Sequence, residues 1–191
     1  MKIWNKSLVG IIAVIMVSML CGCSTPPEYK LPWHKKFDSR LSLLGKDNWI
    51  IVTESSYPCR RAMGIETIAT HKGLPSVLDY VLSGMDDSVH AGATAWLCSE
   101  LEKVPDRDAI GITKVHHEIR RLLNDAKIPV KVATEQEILK KIDTETADYN
   151  VLVLKSGTPL PYTSVYLHID CRYWDEAREK RLRDALRSSE Q

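Results

Sequence analysis

The chain has 191 residues, 44% hydrophobic and 27% charged, which allows a leader segment plus one domain with a real core. These proportions exclude a collagenous, low-complexity or wholly disordered polypeptide. Lysine and arginine number 26 against 25 aspartates and glutamates, with no long block of one sign, so the broad positive field of a nucleic-acid-binding domain is missing.

At the N-terminus, Lys2 and Lys6 precede an apolar stretch from Leu8 to Leu20 that runs into Leu20-Cys21-Gly22-Cys23-Ser24. A charged start, a short apolar run and small residues at its end are the layout of a secretory signal over residues 1–22. The run is shorter than the ~20 apolar residues of a spanning helix. Leu-x-Gly-Cys resembles a bacterial lipobox, which makes Cys23 the expected lipidation site; an uncleaved anchor or a plain secretory signal are the alternatives. Ser24 after the cysteine resembles lipoproteins sorted to the outer membrane, so the expected location is the bacterial cell envelope, on the periplasmic face of the outer membrane. Removal of 1–22 leaves 24 basic and 25 acidic side chains, and the acyl chains supply the membrane affinity without a basic face. Residues 23–35, with Pro26, Pro27 and Pro32, read as an extended tether. The domain then covers 36–191.

Within that domain, His34 to Leu44 has Phe37, Leu41 and Leu44 at helical spacing and stops at Gly45. Trp49 to Thr53 is a β-rich run closed by the turn Glu54-Ser55-Ser56-Tyr57-Pro58. Gly73-Leu74-Pro75-Ser76 opens a helix with Val77, Leu78, Val81 and Leu82 as its apolar face, which Gly84 can end. Thr94 to Cys98 reads as a buried strand, and Thr113 to Ala126 as an amphipathic helix with Val115, Ile119, Leu122 and Leu123 on one face. Val130 to Val132 and Val151 to Leu154 are short strands flanking a helix over Glu135 to Ile142, and Thr163 to His168 is a further strand. This alternation predicts a layered α/β domain. Residues 174–187 form a charged helix with few apolar positions, expected on a surface or against a neighbouring subunit.

No Gly-x-Gly-x-x-Gly, P-loop, Gly-x-Ser-x-Gly or His-Glu-x-x-His is present, so nucleotide, acyl-transfer and zinc-protease readings have no foothold. His116 and His117 are adjacent on a helix and point ~100° apart, so they cannot share a ligand face. Beyond the lipid site, Cys59, Cys98 and Cys171 allow at most one internal disulfide and form no Cys-x-x-Cys metal pair. The expectation is no metal.

Leu44-Gly45-Lys46-Asp47-Asn48 followed by the strand and Glu54-Ser55-Ser56-Tyr57-Pro58 resembles the opening motif of the D-ribose pyranase and L-fucose mutarotase family (RbsD/FucU). There a Leu/Met-Gly-His segment precedes a strand ending in Asp-Ala-x-x-Pro at the same spacing. Gly73-Leu74-Pro75-Ser76 resembles the family's Gly-Val-Pro-Ser helix start, and Thr134-Glu135-Gln136-Glu137 its Thr-His-Glu segment. Lys155-Ser156-Gly157 and Pro161-Tyr162-Thr163-Ser164-Val165 resemble its Ser/Thr-Gly-Glu and Pro-Tyr-Ala-Asn-Ile/Val. The order holds from about Phe37 to Leu167. The departures fall on the chemistry: Lys46 stands at the motif histidine, Glu54 at the aspartate, Glu135 or Gln136 at the second histidine, and Ser164 at the asparagine, while Tyr162 is retained. The C-terminal helix extends past the usual family end.

The resemblance implies a three-layer RbsD/FucU-like fold with an extra C-terminal helix, a homo-oligomer, and a small cyclic monosaccharide as ligand. Ring-form isomerisation needs one group to take the anomeric hydroxyl proton and another to protonate the ring oxygen, for which histidine is the usual choice. With both histidines replaced, Glu54 and Glu135 are the candidate bases and Tyr162 the donor, and Lys46 and Ser164 position hydroxyls. No cofactor is required, because side chains alone move the protons. Three readings stand: a lipid-anchored mutarotase or pyranase with a rewired site, a catalytically inactive sugar binder, and a structural envelope protein that keeps only the fold.

Overall fold

The computed structural model describes residues 31–188 apart from 61, 146 and 147. The signal segment, Cys23 and most of the tether therefore lie outside the described residues. The chain divides between Leu31 and Pro32, and every element below belongs to the unit that starts at Pro32.

Helix α1 (Trp33–Leu41) begins three residues inside the stretch read as tether, because Trp33 packs edge-on against Tyr80, 5.1 Å between ring centroids. It ends at Leu41, short of Gly45, where His90 Nε2 reaches the carbonyls of Leu44 and Leu41 at 3.1 and 3.4 Å. Strand β1 (Trp49–Thr53) is buried throughout. Strand β2 (Ile65–Ala69) has no counterpart in the sequence reading; it is an edge strand with only Ile68 fully buried, so its apolar pattern is weak. Helix α2 (Leu74–Asp87) runs past Gly84. That glycine is an approach point rather than a stop: a Cβ there would lie 3.0 Å from the Phe37 ring, so its absence lets α1 and α2 close together.

Strand β3 (Ala91–Cys98) leads into a 3-10 turn (Ser99–Lys103), then helix α3 (Ile112–Asp125) and strand β4 (Val130–Ala133). Helix α4 (Glu135–Glu145), strands β5 (Val151–Lys155) and β6 (Val165–Cys171) and helix α5 (Glu176–Ser188) complete the order. Among the described residues no helix is long and apolar enough to cross a membrane. Cys59, Cys98 and Cys171 are all free thiols.

The sheet runs β2-β5-β1-β6-β3-β4. Strand alternation divides its side chains into two cores. On one face Ile50, Val52, Leu152, Leu154, Leu167 and Ile169 pack with the apolar stripes of α1, α2 and α3. On the other, Trp49, Ile51, Val151, Val153 and Tyr166 pack with Ile138 and Ile142 of α4. Helices thus cover both faces, a three-layer α/β arrangement that agrees with the fold class expected from sequence.

Candidate functional site

Strands β2, β5 and β1 are parallel, β6 is antiparallel to both β1 and β3, and β3 is parallel to β4. Five strands therefore point one way, and their carboxyl ends share one edge with the start of β6. Open α/β sheets bind ligands outside that edge. Glu54 follows β1, Glu100 follows β3, Glu135 follows β4, and Ser164 precedes β6.

Glu54 is only 6% exposed. Ser164 Oγ donates a short hydrogen bond to its Oε2, and Ser56 Oγ lies 3.5 Å from its Oε1. The backbone around it is fastened to the end of β5: Ser156 N–H donates to Thr53 O and Ser55 N–H to Thr158 O, each at 2.9 Å. A carboxyl buried this far must have partners, and the serine hydroxyls supply them. Beside it Thr53 Oγ1 is buried with no hydrogen-bond partner among the described residues.

Glu135 is the first residue of α4. Thr134 and Glu137 form a reciprocal cap, with Thr134 N–H and Oγ1 donating to Glu137 Oε2 at 2.9 and 2.7 Å and Glu137 N–H to Thr134 Oγ1 at 3.3 Å. The cap fixes the helix start, while the Glu135 carboxyl turns to the sheet, where Tyr166 OH lies 3.5 Å from Oε1. Of the two positions left open by the sequence, Glu135 faces the sheet and Gln136 is exposed. Burial raises the Glu135 pKa, the charges of Glu54 and Glu100 raise it further, and the Tyr166 hydroxyl opposes them. The same surroundings act on Cys98: burial first, then Glu135 and Glu100, push its thiol up to about 12, so it is no nucleophile at neutral pH. Burial likewise raises the Tyr166 phenol, which stays a donor.

Tyr162 lies in the turn between β5 and β6 with a left-handed backbone, φ 58°, and is half-buried against the α4-side core. Tyr57 is buried beneath Glu54's turn; Lys155 Nζ donates to its carbonyl at 2.7 Å, and Arg60 next to it pairs with Asp143 at 2.5 Å. Burial raises the Tyr57 pKa, with Arg60 opposing.

Lys46 is elsewhere. It precedes β1 and so sits at the opposite edge of the sheet, exposed, in a groove of about 900 Å³ shared with α5. There its charge helps to lower the Glu179 pKa, after the hydrogen bonds from Trp174 and Arg183. The structure thus brings Glu54, Glu135 and Ser164 to one edge, with the Tyr162 turn adjoining, and leaves Lys46 outside. Glu100 and Tyr166 were missed by the sequence reading. The available signal for Glu100 was its place just past a strand's carboxyl end; Tyr166 reads as an ordinary strand residue. His116 Nε2 on α3 accepts from Arg120 Nε at 3.3 Å, and among the described residues no group of His, Cys, Asp and Glu is arranged to hold a metal.

No family model and no curated protein matches the sequence. The fold is similar to that of RbsD from Bacillus subtilis complexed with D-ribose, at a TM-score of 0.50 and 13% identity over 71% of this chain and 91% of that one. It is equally similar to the fucose mutarotase of Streptococcus pneumoniae in complex with L-fucose, at a TM-score of 0.50 and 14% identity over 74% of this chain and 96% of that one. At such identities the likeness is one of fold.

Proposed function

We propose that the carboxyl edge of the sheet binds a small cyclic monosaccharide and that Glu54 and Glu135 interconvert its ring forms. The observation that carries this reading is the buried Glu54 carboxyl, held by Ser164, on the same edge as a second carboxyl with raised proton affinity. Two carboxyls in unlike surroundings are what acid and base roles require. The fold shared with proteins solved with D-ribose and L-fucose supports a sugar as ligand.

In the proposed reaction Glu54 takes the proton of the anomeric hydroxyl while Glu135 gives one to the ring oxygen. The bond between the anomeric carbon and the ring oxygen breaks, leaving an open-chain aldehyde. Rotation of the aldehyde and attack by a sugar hydroxyl, with the two glutamates exchanging roles, closes a new ring. The protons balance without a cofactor. Ser164 orients Glu54, Tyr162 offers a hydrogen bond to a sugar hydroxyl, and Lys46 acts on this site only when a neighbouring copy in a homo-oligomer contributes it. The chain is held to a membrane through a lipid on Cys23.

Saturation-transfer NMR on the purified protein with ribose, fucose and galactose reads ring-form exchange directly. Exchange above the buffer rate, falling ~100-fold or more in Glu54→Gln and also reduced in Tyr162→Phe, is the expected outcome. A binding-only reading draws on one feature, that both Glu54 oxygens already lie by serine hydroxyls; sugar binding without exchange would select it. Neither binding nor exchange would leave a bare scaffold.

A further inference from the structure

Glu100 falls on none of the motif positions, yet its carboxylate is hydrogen-bonded to the Glu135 backbone. The turn Ser99–Lys103 leaves β3 at the carboxyl edge, and both Glu100 oxygens accept the Glu135 backbone N–H, at 3.1 and 3.2 Å. The first amides of a helix have no intrahelical acceptor, and a carboxylate there meets the positive end of the helix dipole. Helix α4 already has its own cap in Thr134 and Glu137. Glu100 is therefore a second anchor, brought from a different element, and its effect is to set a negative charge beside the Glu135 side chain.

Besides Glu100, Glu54 from the end of β1 and the Tyr166 hydroxyl from β6 act on Glu135. Tyr57 from the turn after β1 and Cys98 from the end of β3 lie near enough for the Glu135 charge to raise their own pKa values. All are acids. The dipole of α4 alone would favour the ionised form of a carboxyl at its first residue. Burial together with Glu54 and Glu100 outweighs it, and the Tyr166 hydroxyl, 3.5 Å from Oε1, is the one group named that pulls toward the carboxylate.

We propose that Glu100 is a positioning residue for Glu135: its carboxylate, held on the first amide of α4, fixes where the Glu135 side chain meets a bound sugar and keeps a negative charge beside it, so that Glu135 is the group that gives the sugar a proton. This rests on the acid and base reading given above. It also fixes how the sugar lies: the ring oxygen faces Glu135 at the start of α4, and the anomeric hydroxyl faces Glu54 and Ser164. Glu100 and Tyr166 then oppose each other, one holding the proton on Glu135 and the other easing its release, which suits a group that must give a proton and take it back in each turnover.

The test is a carbon-13 NMR titration of the glutamate side-chain carboxyls in the purified chain, which needs no sugar. Glu100→Gln keeps an oxygen to accept the Glu135 N–H and loses only the charge; it is expected to move the Glu135 midpoint down. Glu100→Asp, which keeps the charge, leaves it near its starting value. Tyr166→Phe moves it up. Opposite shifts from two neighbours are not what a general loosening of structure produces. Sugar exchange near neutral pH should fall about tenfold in Glu100→Gln, with the alkaline limb of its pH profile displaced to lower pH. An unmoved Glu135 midpoint in folded Glu100→Gln, or a downward shift in both Glu100→Gln and Tyr166→Phe, overturns the proposal. If the midpoints move as stated but the parent protein exchanges no sugar, the assigned function fails and the role of Glu100 stands.

Discussion

Glu135 binds its proton more tightly in the folded chain than an ordinary glutamate does, chiefly through burial and then through Glu54 and Glu100. A carboxyl with a folded pKa above its unfolded value holds more protons folded than unfolded across that interval, so stability falls as pH rises through it. The cost is absent below the ordinary carboxyl range, about pH 4, and complete above the folded pKa. Glu135→Gln cannot ionise and keeps the shape, so at neutral pH it should be more stable than the parent, with the gain shrinking as pH drops toward the ordinary carboxyl range. Urea unfolding at both pH values reads this, and a Glu135→Gln chain less stable at neutral pH would remove the account. The same residue shows what sequence reveals about a site. Glu54, Glu135 and Ser164 were reached through the motif resemblance, and the structure then finds each of them where a strand or helix begins or ends. Lys46 came from the same resemblance, but it precedes β1 and Glu54 follows it, so the length of that strand sets the two at opposite edges of the sheet within one chain. Glu100 was hidden for another reason: its contact is with a backbone amide of a distant helix, which side-chain identity does not announce.

Among the elements, α5 stands apart because it has no buried residue. Its order is local: Arg183 pairs with Glu179 at 2.6 Å, Arg178 with Asp175 at 3.0 Å, and Trp174 Nε1 donates to Glu179 at 2.7 Å. Exposed pairs of this kind contribute ~0.2 to 1 kcal/mol each and are screened by salt. Ahead of α5, Arg172 is tied firmly to the body: its guanidinium donates to the carbonyls of Asp86 and Ser88 at 2.6 and 2.8 Å and pairs with the Asp86 carboxylate at 2.8 Å. Ending the chain after Arg172 should therefore change unfolding stability by no more than about 1 kcal/mol. A loss of several kcal/mol in denaturant titrations would mean that α5 carries packing energy after all, most directly across the groove it shares with Lys46. Strong helices such as α3 were read closely from their apolar stripe, since burial and period coincide there. Gly84 misled for a physical reason: the local chain sees a helix breaker, and only the Phe37 ring across the interface shows why no Cβ is wanted.

Across the whole molecule, alternation of strands and helices was enough to give a layered α/β class, but strand order was not legible. Strand β6 inserts antiparallel between β1 and β3, and this insertion sets Ser164 against Glu54 from 110 positions away in the chain. Pairing over such distances is decided by the collective burial of both faces rather than by any one segment. The membrane expectation is of the opposite kind, because it rests on local sequence alone: Lys2, Lys6, the apolar run and Leu20-Cys21-Gly22-Cys23. If Cys23 is acylated after residues 1–22 are removed, the remaining chain carries 24 basic and 25 acidic side chains, and electrostatic attraction to an anionic surface is too weak to hold it. Acyl chains contribute ~0.8 kcal/mol per buried CH2 whatever the salt. The protein should therefore remain in the membrane pellet of expressing bacteria through a high-salt wash and leave it in detergent. Cys23→Ser should carry no lipid by mass spectrometry and should accumulate with residues 1–22 attached. Release of the parent by salt alone, or a processed and lipid-bearing Cys23→Ser chain, would reject Cys23 as the anchor.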